Sequence, residues 1–298
     1  MTASSTSSCA PALLSMRELT VKYGPLGEGL PALCNVTVEF RSGEITGILG
    51  ESGSGKTTLA MAMLGLLPTH AQVTGSLRFH DRELLRLRER DWKQVRGAKI
   101  AMIFQEPGLA MSPVMRVGDQ IAEVIRAHTS LSRLARRQRV RELLEDVGLP
   151  QVDRVFKSYP HQLSGGELSR TAIVQALACE PELLIADEAT RSLDVTRRAE
   201  ILDLFRQANR RTGCAIVFIT HDPALLAGFA HRIVVFYRGR VIQDGLTQQV
   251  FRQPAHPFTK GLLALVPNSI SGKMNPDRRL PEVIDPKSQY ADCFNYGN

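Results

Sequence analysis

The chain has 298 residues, of which 43% are hydrophobic and 22% charged, with a formal net charge of +7. That is enough chain for one large α/β domain or two modest ones, of ordinary globular composition. No apolar run approaches the roughly 20 residues of a membrane-spanning helix, and five scattered cysteines without CxxC spacing point to neither a disulfide framework nor a zinc site.

In chain order, the opening "MTASSTSSCAPALLS" has neither a basic n-region nor a long apolar h-region. Residues 1–14 therefore read as a flexible tail and not as a secretory signal, and reduced thiols in a cytoplasmic protein are expected. "LTVKYG" and "CNVTVEF" alternate apolar and polar residues, as two half-exposed antiparallel strands do. "EITGILG" is continuously apolar and runs into glycines, the pattern of a buried strand feeding a loop. "SLRFH" and "KIAMIFQ" are further strands, the second ending in Gln105.

From about 106 to 170 the pattern turns helical. In "LARRQRVRELLEDVGL", Val140, Leu143, Leu144 and Val147 recur at helical spacing, and the arginines read as a solvated face before an anion-binding one. "ELLIAD" and "CAIVFITH" are buried strands separated by a helix, and "RIVVFYRGRVIQDG" is a hairpin around Arg238-Gly239. The last forty or so residues are rich in Pro, Asn and Asp and read as partly disordered. Strands alternating with helices at both ends give an α/β sheet domain with an inserted helical block.

"GESGSGKTT", Gly50 to Thr58, fits G-x-x-x-x-G-K-[ST] between a predicted strand and a predicted helix, the context that a phosphate-binding P-loop needs. Gly50, Gly53 and Gly55 permit conformations that turn amides inward, and the helix N-terminus adds its positive dipole end. Lys56 is expected to reach the β- and γ-phosphates and Thr57 to ligate Mg²⁺. At the end of "LLIADE", Asp187 is a candidate Mg²⁺ acid and Glu188 a candidate acceptor for the attacking water's proton. Two acids capping a strand in solvent is the alternative, and the P-loop weighs against it.

"LSGGE" (Leu163 to Glu167) after "YPHQ", Gln105 after one strand and His221 after another complete an order that resembles the ATP-binding cassette of ABC transporters over about residues 15–250. "SPVMRVGDQIAEVIRAH", "KSYPHQLSGGE" and "QVFRQPAHPFTKGLLALVP" resemble the oligopeptide, dipeptide and nickel importer branch of that family. The resemblance implies a P-loop NTPase domain with a RecA-like core, an antiparallel β subdomain and a helical subdomain at about 106–170, then a C-terminal extension over 251–298. It implies ATP and Mg²⁺ as ligands, held by Gly50, Glu51, Ser52, Gly53, Ser54, Gly55, Lys56, Thr57 and Thr58. Tyr23 matches the aromatic that stacks on adenine, with a half-buried strand tyrosine as the plain alternative.

The same resemblance makes Ser164, Gly165, Gly166 and Glu167 a signature motif meeting the γ-phosphate held by a partner chain; a plain Ser-Gly helix cap is the alternative. The family motif is LSGGQ or a close relative, and Glu167 is a known kind of variation. Gln105 is implied to bind Mg²⁺ and water, His221 to sense the γ-phosphate, and Asp194 to link the two sites of a dimer. Catalysis would rest on Glu188, His221 and Gln105, and metal binding on Thr57, Gln105 and Asp187. Implied partners are a second cassette, identical or paralogous, permease subunits docking at Met111 to His128 and, indirectly, a solute-binding protein. Nucleic acid is not an expected partner, and the implied location is the cytoplasmic face of the membrane.

Two departures stand out. The family's Pro-Thr-(Ser/Thr)-Ala-Leu-Asp is "ATRSLD" here, which loosens a turn by about 0.4–1 kcal/mol of backbone entropy and adds Arg191 near the implied interface. The cysteine cluster of many relatives is reduced to Cys293, so no iron–sulfur centre is expected. Two functions stay open: an importer's energising subunit, or a soluble ATPase acting in a non-transport complex, on nucleic acid or in phosphonate degradation.

Overall fold

The computed structural model of the chain describes residues 11–24, 31–191 and 193–264. The predicted disorder after 264, the Cys293 argument and most of the predicted tail fall outside them. Among the described residues the strands are β1 (Ala12–Lys22), β2 (Pro31–Arg41), β3 (Ile45–Leu49), β4 (Gln72–Phe79), β5 (Arg82–Glu83), β6 (Ile100–Ile103), β7 (Leu183–Asp187), β8 (Ala215–Thr220), β9 (Arg232–Tyr237) and β10 (Arg240–Leu246). The helices are α1 (Lys56–Met63), α2 (Glu89–Trp92), α3 (Pro107–Ala110), α4 (Val117–His128), α5 (Arg133–Asp146), α6 (Val152–Lys157), α7 (Gly165–Leu177), α8 (Val195–Thr212), α9 (Pro223–Leu226), α10 (Thr247–Arg252) and α11 (Pro257–Leu263).

Alternating residues in β1 and β2 pair antiparallel, and with β4 and β5 they make a four-stranded sheet in the order β2-β1-β4-β5. The continuously apolar strands make a six-stranded sheet, β10-β9-β3-β8-β7-β6, parallel except for the β9–β10 hairpin. Continuity of the apolar run follows from burial on both faces. In β8, Ala215, Val217 and Ile219 face a core shared with α1 and the small sheet, while Ile216 and Phe218 face a second core shared with α8. The hairpin turns on Arg238 (φ 47°) and Gly239 (φ 77°), both left-handed, as a two-residue turn between twisted strands requires.

A third core belongs to the helical block. Val117, Ile121, Val140, Leu144, Val155 and Phe156 pack together, joined by Val174 of α7. The arginines of α5 are more than a solvated face: Arg137 and Arg141 lie 4.9 and 4.5 Å from the Phe156 ring centre while pairing with Asp119 and Asp153.

Three boundaries differ from expectation. β1 begins at Ala12, inside the segment read as a tail, because Leu13 and Leu14 are buried against the small sheet's core. β6 ends at Ile103, so Gln105 lies in the loop beyond it; the parallel pairing with β7 stops at Ala186. The cassette does not end at 250, which falls within α10: Phe258 and Leu262 of α11 are buried in the same core as Val250. Among the described residues, Cys179 and Cys214 are free thiols, as expected of reduced cysteines.

Candidate functional site

Three neighbouring parallel strands, β3, β8 and β7, end flush, with Leu49 opposite Thr220 and Ile219 opposite Asp187. Their carboxyl ends therefore deliver the P-loop, His221 and the Asp187-Glu188 pair to one edge of the sheet, the usual place for a ligand in an open α/β fold.

The P-loop is shaped by close approach as much as by unusual dihedrals. A Cβ on Gly50 would sit 2.4 Å from the Phe236 carbonyl oxygen, and Gly55 caps α1 at φ 103°, where a side chain is strained. Gly239 N–H donates to the Ser54 carbonyl at 2.9 Å, tying the loop to the β9–β10 turn. Lys56, 6% exposed, folds onto the loop: its Nζ donates to the carbonyls of Gly50 (2.8 Å) and Glu51 (2.7 Å). Burial pushes its ammonium below the ordinary lysine range, opposed by the charges of Glu188, Asp187 and Glu51. A cation held this way gains from an arriving phosphate, whose charge restores what desolvation removed.

Thr57 Oγ1 donates to Asp187 Oδ2 at 3.0 Å. Asp187 is 4% exposed, and burial raises its carboxyl above the usual range; the Thr57 hydrogen bond opposes this, Glu188 adds to it and Lys56 opposes it. A hydroxyl and a carboxylate touching at a helix start are hard oxygen donors of the kind that Mg²⁺ takes, one or two from protein and the rest from phosphate and water. Among the described residues no group of three or more His, Cys, Asp or Glu forms a metal cage.

Glu188 has φ 46°, a left-handed conformation uncommon outside glycine, held by its N–H donating to the Ile219 carbonyl at 3.0 Å. This turn throws the side chain towards β8, where Oε1 lies 2.8 Å from His221 Nδ1. Its other oxygen, Oε2, accepts from Arg191 Nη1 at 3.2 Å. Nothing in the motif order pointed to Arg191 as a partner of Glu188; the only hint was the three-residue spacing. Tyr23, half-buried just after β1, sits beside the loop helix, its hydroxyl 3.4 Å from Thr58 Oγ1. Glu51, Ser52 and Gly53 are at the loop's outer turn, with Ser52 and Gly53 exposed.

The remaining expected residues lie elsewhere. Gln105 is exposed in a cavity of about 660 Å³ that it shares with Glu106, Gly165, Ser169 and Arg191. Thr57 and Asp187 bond each other without it. Ser164 caps α7: its Oγ accepts from Glu167 N–H at 3.3 Å, and Glu167 Oε2 accepts from Ser164 N–H at 2.9 Å. Glu167 Oε1 is paired with Arg154, a residue that the sequence did not mark, and its carboxyl is pulled below the usual range by the Ser164 hydrogen bonds and by Arg154, against burial. Gly166 follows in the first turn, beside the Arg197 side chain. Asp194 caps α8, accepting from Arg197 N–H at 3.0 Å. The helix-cap alternative for Ser164 is thus realised, and it leaves the first turn of α7 open to solvent at Gly165.

Comparison with known proteins places this geometry. A family model described as ABC transporter matches residues 33–191. The chain is 42% identical over 257 residues to the dipeptide transport ATP-binding protein DppD of Bacillus subtilis, covering 86% of this chain and 77% of the relative. It is 40% identical over 258 residues to the oligopeptide transport ATP-binding protein OppD of Escherichia coli, covering 87% and 77%. Among solved structures, the dimeric post-hydrolysis state of the ATP-binding cassette MJ0796 bound to ADP and Pi superposes with a TM-score of 0.70 at 28% identity, over 78% of this chain and 98% of that one. The structure of cbiO1 from Clostridium perfringens, part of the cbiONQ transporter complex, gives 0.69 at 27% identity, over 82% and 92%.

Proposed function

The chain belongs to the ABC transporter family of ATP-binding cassettes, and from that premise we propose that it is the ATP-hydrolysing subunit of an importer for peptides or a related small solute. It has the fold of an ABC ATPase, and binding and hydrolysis of ATP go with that family. The observation that carries the reading further is the convergence of Lys56, Thr57, Asp187, Glu188 and His221 at the flush ends of β3, β7 and β8. Relatives that carry dipeptide and oligopeptide transport names favour the importer over the non-transport alternative.

In this reading the P-loop amides and Lys56 take the β- and γ-phosphates, and Tyr23 takes the adenine face. Thr57 and Asp187 would hold Mg²⁺, which when bound neutralises charge developing on the transferred phosphoryl group. Glu188 Oε accepts a proton from, or orients, the attacking water, while the His221 ring fixes the carboxylate's direction. Ser164, Gly165 and Gly166 present α7's first-turn amides to the nucleotide of a second cassette, and Asp194 and Gln105 act at that joint. ATP then favours the closed pair and hydrolysis the open one. The helical block, with Val114 81% exposed, is the face for permease subunits. Among the described residues no helix is long and apolar enough to cross a membrane, which suits a subunit held there by partners.

Co-expression with two candidate permeases and a peptide-binding protein tests this. Copurification, with ATP hydrolysis stimulated by peptide-loaded binding protein, is the expected result. Tight DNA binding without permease association would overturn it.

A further inference from the structure

Both oxygens of the Glu188 carboxylate are already engaged. Oε1 meets His221 Nδ1 at 2.8 Å, and Oε2 accepts from Arg191 Nη1 at 3.2 Å. The Glu188 side chain is 10% exposed, so few waters compete for it, whereas Arg191 is 55% exposed and is tethered only at its head. An oxygen accepting from a guanidinium is a poorer acceptor for a water's proton, because the positive charge stabilises the ionised form that proton transfer must consume. Any water that Glu188 is to polarise must therefore share an oxygen already held by the histidine or the arginine.

Arg191 is the one with somewhere to go. It lines the cavity of about 660 Å³ between the Gln105 loop and the start of α7, and the exposed carboxylate of Glu106 lines the same cavity. His221, by contrast, does not line that cavity. We infer that Arg191 is a positioning residue that brakes hydrolysis: it holds Glu188 Oε2 in the resting chain and frees it by swinging to the Glu106 side of the neighbouring cavity. The device would limit ATP turnover until closure of the cassette pair reshapes that cavity. It requires no change in nucleotide affinity, since Arg191 does not touch the P-loop groups that hold the phosphates. The inference rests on the reading of Glu188 as the residue that polarises the water.

Steady-state hydrolysis by the purified full chain, without permeases, tests it. Arg191→Thr is expected to raise kcat about two- to fivefold, the scale of one partly exposed ion pair, with KM for ATP unchanged. Arg191→Lys, which keeps the charge, is expected to retain the low rate. Glu106→Gln, which removes the receiving carboxylate, is expected to lower kcat in the wild-type background and to do nothing in Arg191→Thr. An unchanged or lowered kcat in Arg191→Thr with intact ATP affinity, or an equal effect of Glu106→Gln in both backgrounds, would overturn the brake. Wild-type activity in Glu188→Gln would instead overturn the assignment of Glu188, leaving the two failures distinguishable.

Discussion

Thr57, in the first turn of α1, meets Asp187 at the end of a strand buried along its whole length, whereas Ser164 and Gly165 open a helix whose first turn faces solvent. On the nucleotide side, position is set by the sheet: β3, β7 and β8 end level, so the loops that follow them start at one edge. On the signature side, position is set by polar ties among exposed groups, the Ser164–Glu167 box and the Arg154 pair. The first arrangement is complete within one chain and costs buried charge, visible in the displaced Lys56 and Asp187. The second leaves the first turn of α7 exposed at Gly165.

Disabling each side separately sharpens this contrast. The largest effect is expected for Glu188→Gln, which should lower kcat by roughly 10²–10⁴ while ATP still binds, measured by phosphate release beside an ATP titration. A gel-filtration shift to a dimer in ATP would link the two sides. Next, Lys56→Ala should weaken ATP binding about 10- to 100-fold, the scale of one or two charge-assisted hydrogen bonds. Undiminished affinity in calorimetry would break the view that the buried loop holds the phosphates.

The signature side should respond more mildly. Glu167→Ala removes half of a capping box and leaves Arg154 without this acid, at a cost of roughly 1 kcal/mol in thermal or urea unfolding. Glu167→Gln can keep the box and should cost less. Equal losses would mean that the Arg154 pair, not the cap, holds the turn.

The smallest effect is one of pH. The folded-state carboxyl of Asp187 is raised, so the folded protein binds its proton more readily than the unfolded chain does. The stability this confers is present below the ordinary aspartate value and is lost as pH rises through the raised one. Relative to Asp187→Asn, the melting temperature of the nucleotide-free protein should therefore fall as pH rises across that window. A parallel pair of curves would mean that the Thr57 hydrogen bond and Lys56 fully offset burial.

What could be read along the chain was whatever contiguous residues do together. The P-loop glycines, the LSGGE turn, the apolar runs and the 238–239 hairpin each combine a backbone demand with the residue that meets it, so order and spacing carried them. The doubly buried strands were legible for the same reason: a run without polar interruption has no exposed face. Tertiary structure alone decided how groups distant in sequence, or free to rotate, were shared out. Arg154 came to Glu167 and His221 to Glu188 because the folding of separate elements brought them within hydrogen-bonding reach. Arg191, only three residues from Glu188, needed the left-handed turn at 188 to face it. Where α10 and α11 belong was settled by Phe258 and Leu262 finding the second core, since burial depends on the surface across the gap and not on the residues alongside.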